Sequence, residues 1–187
     1  MSILFIDACI RENSRTRRLA EAFLSRQGEE ITTVPLADIG LKPLDAERLK
    51  TREEALAGNR SHSVLDLAKQ FAEAERIVIV APYWDLSFPA LLKEYIENIS
   101  AVGITFDYTP EGIPFGLCRA KDLTYVTTVG GEGLPDLYGY EYIKSVAQIY
   151  YGIRSFRLIK AEGLDIVGRN PEAVLEEAIR ALDMAPQ

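Results

Sequence analysis

Residues 77–81, Ile-Val-Ile-Val-Ala, form an unbroken apolar run rich in β-branched side chains that stops at Pro82. A run this short, with no polar alternation, is expected of a strand covered on both faces inside a parallel sheet. Pro82 cannot donate a ladder hydrogen bond and Pro89 suits the first turn of a helix. Tyr83 to Phe88 must therefore be a loop, with Ser87 as the expected N-cap. Beyond it Leu91, Leu92, Tyr95, Ile96, Ile99 and Val102 recur at three- and four-residue intervals, which predicts a helix running to Gly103. A loop at the carboxyl end of a central strand is where open α/β sheets bind ligands. This one carries Tyr83, Trp84 and Asp85, which suits a flat, partly polar aromatic ligand.

The remaining chain repeats the strand-then-helix pattern. Ile3 to Ile6 reads as a strand, followed by a polar segment and a helix with Leu19, Ala20, Phe23 and Leu24 on one face. Glu30 to Leu36 reads as a strand nearer the sheet edge, because of its polar content and Pro35. Leu123 to Val129 and Ser155 to Ala161 supply the last two strands, and Val64 to Ala74, Tyr140 to Tyr151 and Pro171 to Met184 read as helices. Between them lie a charged helix over Ala46 to Leu56, in a stretch from Ala37 to His62 with no evident role, and a turn-rich excursion from Ile104 to Leu117. Five strand–helix repeats imply an α/β fold, a five-stranded parallel sheet with helices on both faces, and five strands suit a flavodoxin-like three-layer sandwich of order 2-1-3-4-5. The whole chain, 1–187, is expected to be one such domain.

That order opens a crevice between the first and third strands. The loop after the first strand carries Arg11, Ser14, Arg15 and Thr16 at a helix N-terminus, where free amides, hydroxyls and guanidinium groups make a phosphate site. It has no glycine, so it is neither a Walker loop nor a GxGxxG fingerprint. The alternative is that Ser14 is only an N-cap, with Arg15, Arg17 and Arg18 on a solvated face. Opposite stand Pro82, Tyr83, Trp84, Asp85 and Leu86; beside them Thr128, Val129, Gly130 and Gly131 end the fourth strand with backbone that a ligand can approach closely.

Composition narrows the partners. Against 21 basic residues stand 28 acidic ones, a net charge of −7 that argues against nucleic acid. No apolar run approaches the roughly twenty residues that cross a bilayer, and the start lacks the apolar core of a signal peptide, so a cytoplasmic protein is expected. Cys9 and Cys118 show no metal or disulfide spacing and read as reduced thiols. His62, the one histidine, reads as a polar residue preceding a helix.

The stretch APYWDLSFPALLKEYIENISAVGITFDYTPEG resembles the flavodoxin-like quinone reductases and azoreductases that use FMN and NAD(P)H. It has their Pro followed by two residues often aromatic or Met, then a helix and a Gly-Ile-Thr-Phe turn. The resemblance implies that Ser14, Arg15 and Thr16 hold the FMN phosphate, that Pro82 to Leu86 lie against the isoalloxazine, and that Thr128 to Gly131 line its other edge. Asp7 stands where a serine is common, and Asp85 where the family usually has Asn. The implied activity is NAD(P)H oxidation with two-electron, ping-pong reduction of a quinone, azo or similar flat small-molecule acceptor. No general base is implied, because flavin N5 carries the chemistry. Relatives of this kind are usually homodimers, and the excursion Thr105 to Leu117, with Tyr138, Tyr140 and Tyr142, offers aromatic surface for such a contact. A flavodoxin-type electron carrier, and a regulatory domain retaining only the fold, are the competing readings.

Overall fold

The computed structural model describes residues 2–184. The ends of the expected domain, Met1 and 185–187, lie outside the described residues. Strands β1 (Ser2–Asp7), β2 (Glu30–Pro35) and β3 (Arg76–Val80) are joined through α1 (Arg15–Leu24), α2 (Ala46–Ala57) and α3 (Asp66–Glu73). Helix α4 (Ala90–Ile99), a hairpin of β4 (Phe106–Tyr108) and β5 (Pro114–Gly116), then β6 (Asp122–Val129), α5 (Tyr140–Val146), β7 (Ser155–Glu162) and α6 (Pro171–Ala181) complete the chain. The main sheet is parallel throughout, in the order β2-β1-β3-β6-β7. This is the expected 2-1-3-4-5 arrangement, since the hairpin lies outside that sheet.

Alternation along each strand divides the interior in two. Leu4, Ile6, Ile77, Ile79, Leu123 and Tyr125 face one core, which includes Phe71 of α3 and Leu92, Tyr95, Ile96 and Ile99 of α4. Ile3, Phe5, Val78, Val80 and Val126 face the other, against Leu19, Phe23 and Leu24 of α1 and Leu175 of α6. Two-sided burial is why β1 and β3 read as continuous apolar runs. Edge strand β2 is exposed over its first four residues, as its polar sequence requires.

Several local expectations are corrected. Ser87 does not cap α4: the helix begins at Ala90, with Pro89 extended at the cap position (φ −56°, ψ 143°). Ser87 instead closes a hairpin with Trp84. Helix α4 ends at Ile99 rather than Gly103, where Ser100 and its hydroxyl bond back to the Ile96 carbonyl. The segment 37–62 has a structural role at that end. Arg52 donates to the Glu97 and Ser100 carbonyls (2.8 and 3.3 Å), Arg48 to Asn98 Oδ1 (3.4 Å) and Arg60 to the Gly103 carbonyl (3.3 Å). Arg52 thereby satisfies the Glu97 carbonyl that the helix end leaves open. His62 caps a short 3-10 turn, Ser63–Leu65, its Nδ1 accepting from the Val64 amide. The excursion is the β4–β5 hairpin, and Gly116 lets it pack against the π-helical turn Ala147–Tyr151 that follows α5. Among the described residues no helix is long and apolar enough to cross a membrane.

Candidate functional site

The loops after β1, β3 and β6 meet at the carboxyl edge of the sheet around a cavity of about 350 Å³. Of the expected site residues, Arg11, Ser14, Arg15, Thr16, Pro82, Tyr83, Trp84, Thr128, Val129 and Gly130 line it. Asp85, Leu86 and Gly131 do not. Asn13, which belongs to the same Arg11 to Thr16 loop, also lines it, and Ile10, Leu164 and Asp165 join them without a sequence expectation. The last two follow β7, whose place beside β6 brings the 163–169 loop to the crevice. A glycine directly after the fifth strand was the signal available for it.

The first loop is held from beneath. Arg17 donates through Nε to Asp7 Oδ2 (2.5 Å), through Nη2 to the Cys9 carbonyl (2.6 Å), and through Nη1 to the Arg11 and Glu12 carbonyls (3.0 and 3.2 Å). It does not lie on a solvated face. Burial pulls the Arg17 pKa down, but the hydrogen bond and charge of Asp7 outweigh it, so the net shift is upward and the group stays charged. Ser14 is the N-cap of α1: its hydroxyl accepts from the Arg17 amide at 3.2 Å. The amides of Arg15 and Thr16 have no partner among the described residues, and they face the end of the helix where an anion is favoured. Arg15 reaches to the Leu164 carbonyl (3.2 Å) and Asp165 Oδ1 (3.1 Å). The hydroxyls of Thr16 and Thr128 lie 2.6 Å apart, tying α1 to β6. Cys9 is buried beside this loop, and that burial pushes its thiol up to about 12, so it is no nucleophile near neutral pH.

The second loop continues the sheet briefly, the Tyr83 amide donating to the Thr128 carbonyl at 3.1 Å. Trp84 and Ser87 then exchange both backbone hydrogen bonds (3.1 and 2.7 Å) across Asp85 and Leu86. Both central residues have positive φ, 51° and 66°, the geometry of a type I′ turn, which Asn-Gly usually supplies. The amides of Asp85 and Leu86 have no partner among the described residues and mark the tip of the turn as a hydrogen-bonding edge. Arg11 sits with its guanidinium carbon 5.9 Å from the centre of the Trp84 ring, within range of a cation–π contact. Thus one arginine bridges the anion end of the cavity and its aromatic wall.

The third loop is anchored on both sides. Asp165 and Gly163 amides donate to the Gly130 and Gly131 carbonyls (2.9 and 2.8 Å). At Gly130 a Cβ would come within 2.4 Å of Asp165 Oδ2, so glycine allows the approach. Further along, Lys160 pairs with Asp136 (3.0 Å) and Glu162 (3.1 Å), and Arg169 pairs with Glu132. The Tyr83 hydroxyl donates to the Pro135 carbonyl (2.9 Å), and the Ser87 hydroxyl to that of Tyr138 (2.7 Å). The second and third loops are thereby fastened together beside the cavity. Of the tyrosines expected at the surface, Tyr138 is exposed, whereas Tyr140 and Tyr142 pack on Tyr125 and Phe88.

Comparison with known proteins agrees with the fold. The chain is 38% identical to an FMN-dependent NADH:quinone oxidoreductase 2 of Clostridium acetobutylicum, over 95% of this chain and 94% of the relative. It is 34% identical to an FMN-dependent NADH:quinone oxidoreductase of Clostridium beijerinckii, over 95% and 93%. Among solved structures, an azoreductase from Bacillus anthracis superposes with a TM-score of 0.81 at 26% identity, covering 99% of this chain and all of the other. A family model described as "Flavodoxin-like fold" matches residues 1–184, and the chain belongs to that flavodoxin-like family.

Proposed function

We propose that the chain is an FMN-dependent NAD(P)H:acceptor oxidoreductase whose acceptor is a quinone, an azo compound or another flat aromatic molecule. The observation that carries this reading is one cavity of about 350 Å³ with anion donors at one end and aromatic side chains at the other. Relatives named for an NADH:quinone activity extend over nearly the whole chain.

The residues present fit FMN. Its phosphate matches the free amides of Arg15 and Thr16, the Ser14 cap and the guanidinium groups of Arg11 and Arg15. Its ring matches the Tyr83–Trp84 wall, and the amides of Asp85 and Leu86 can donate to a polar ring edge. Asp85 then acts through its backbone, since its side chain is exposed and does not line the cavity; replacement of Asn by Asp costs little in that role. When bound, FMN supplies the redox chemistry, accepting a hydride from NAD(P)H and delivering two electrons to the acceptor. The chain's own part is to bind, to orient, and to keep the second and third loops fastened while donor and acceptor use the same space in turn. That succession makes the kinetics ping-pong. Initial rates against NADH at several fixed quinone concentrations should give parallel reciprocal plots; converging lines would refute it.

The same proposal includes a homodimer. Tyr108, Ile113, Phe115 and Leu117 on the hairpin, with Ile149 beside it, are exposed apolar side chains on neighbouring elements, and a second copy would cover them. Light scattering at micromolar concentration should return twice the 20.9 kDa chain mass; a monomer mass removes this part. A cytoplasmic location, consistent with the free thiols of Cys9 and Cys118, is tested by cell fractionation.

A further inference from the structure

Two charged residues beneath the cavity have no place in the contacts so far assigned to a ligand. Asp7 is 5% exposed, and neither it nor Arg17 lines the cavity. The Arg17 fork makes four hydrogen bonds, one to Asp7 and three to the carbonyls of Cys9, Arg11 and Glu12. Asp7 uses its other oxygen to accept from the Cys9 amide at 2.8 Å. The two side chains therefore brace consecutive turns of a loop that contains no glycine.

A loop that receives a phosphate must present amides and keep carbonyl oxygens away from the anion. Glycine-rich loops reach that state through backbone conformations closed to other residues. This loop reaches it by another route: a guanidinium gathers the carbonyls, and a buried carboxylate fixes the guanidinium and balances its charge. Four of the five Arg17 donors are engaged inside the loop, and the side chain does not line the cavity.

We propose that Asp7 and Arg17 are positioning residues that hold the 8–14 loop in the shape that receives the FMN phosphate. The inference rests on the FMN reading above, and its test separates the two. Apo-protein is titrated with FMN and with riboflavin, which lacks only the phosphate, following quenching of flavin fluorescence. Wild-type protein should bind FMN more tightly than riboflavin; equal affinities would overturn the phosphate site and this inference with it. In Arg17→Gln, FMN affinity should fall on the order of tenfold, as expected for losing charge-assisted hydrogen bonds that orient a binding group, while riboflavin affinity changes less than about twofold. Equal weakening of both flavins, or of neither, in a variant with wild-type circular dichroism would overturn the positioning role. Should Arg17→Gln fail to fold, Asp7→Asn carries the test. It keeps the shape and the acceptor for the Cys9 amide but turns a donor toward Arg17, and the same selective loss is expected.

Discussion

The Trp84–Ser87 turn offers a perturbation whose sign reverses an ordinary rule. Leu86 sits at φ 66°, in the left-handed region, with its side chain 46% exposed. A residue with a β-carbon is disfavoured there by roughly 1–2 kcal/mol. Glycine escapes that penalty but loses roughly 0.5–1 kcal/mol through its freer unfolded chain. Leu86→Gly should therefore be more stable than Leu86→Ala by about 0.5–1 kcal/mol, both variants lacking the same leucine packing. At an ordinary position the order is the opposite by a similar amount. Urea denaturation of the two variants reads the difference directly: with a slope of about 2 kcal/mol per molar, the glycine midpoint should lie about 0.3–0.5 M higher. A midpoint for Leu86→Gly below that of Leu86→Ala would refute the left-handed geometry, and with it the type I′ turn that presents the two free amides.

Two further outcomes are expected. In Gly116→Ala the new methyl would lie 2.1–2.3 Å from backbone atoms of Tyr151 and Gly152, so the hairpin must shift. A loss of about 2 kcal/mol, or roughly 4–8 °C in thermal melting, should follow, and an unchanged melting temperature would contradict the docking of hairpin on helix. At high pH, burial has raised Cys9 and Cys118 from 9.0 to about 12. The folded pKa being the higher, their contribution is complete below the unfolded value and is lost as pH climbs from about 9 towards 12, by up to about 1.4 kcal/mol per pH unit for each thiol. Urea midpoints should fall over that window and fall less steeply in Cys9→Ala/Cys118→Ala; equal slopes would contradict it. Buried Tyr95, Tyr125 and Tyr151, also raised by burial, contribute to the remaining slope.

How much of this was legible depends on what each feature needs. The five sheet strands follow from period rules that act locally, and β1 and β3 declare their two-sided burial in four or five residues each; their order follows only because five strands with parallel crossovers suit one common doubly wound arrangement. The β4–β5 hairpin does not, because strands of three residues carry no period. Helix α4 was expected to begin too early because Asp85 and Leu86 form a turn that sequence rules reserve for Asn and Gly. Ten of the anticipated residues line the cavity because loops after neighbouring parallel strands must converge. The sequence places Arg17 on a solvated face only in the competing reading of this loop, and it gives Arg17 no role in the loop's shape, since nothing in its spacing says that the first turn of α1 folds over the preceding loop. Asp165 is not legible because its loop offers only Gly163 as a signal, and a single glycine after a strand does not say that the loop reaches the crevice.

The most direct test of the central claim is an anaerobic titration of the FMN-loaded protein with NADH, followed in the visible flavin band, and then with a quinone. The band should bleach with about one equivalent of NADH and recover on addition of about one equivalent of quinone, as two-electron transfer through one flavin requires. A bound flavin that NADH leaves yellow would contradict the oxidoreductase and favour an electron carrier.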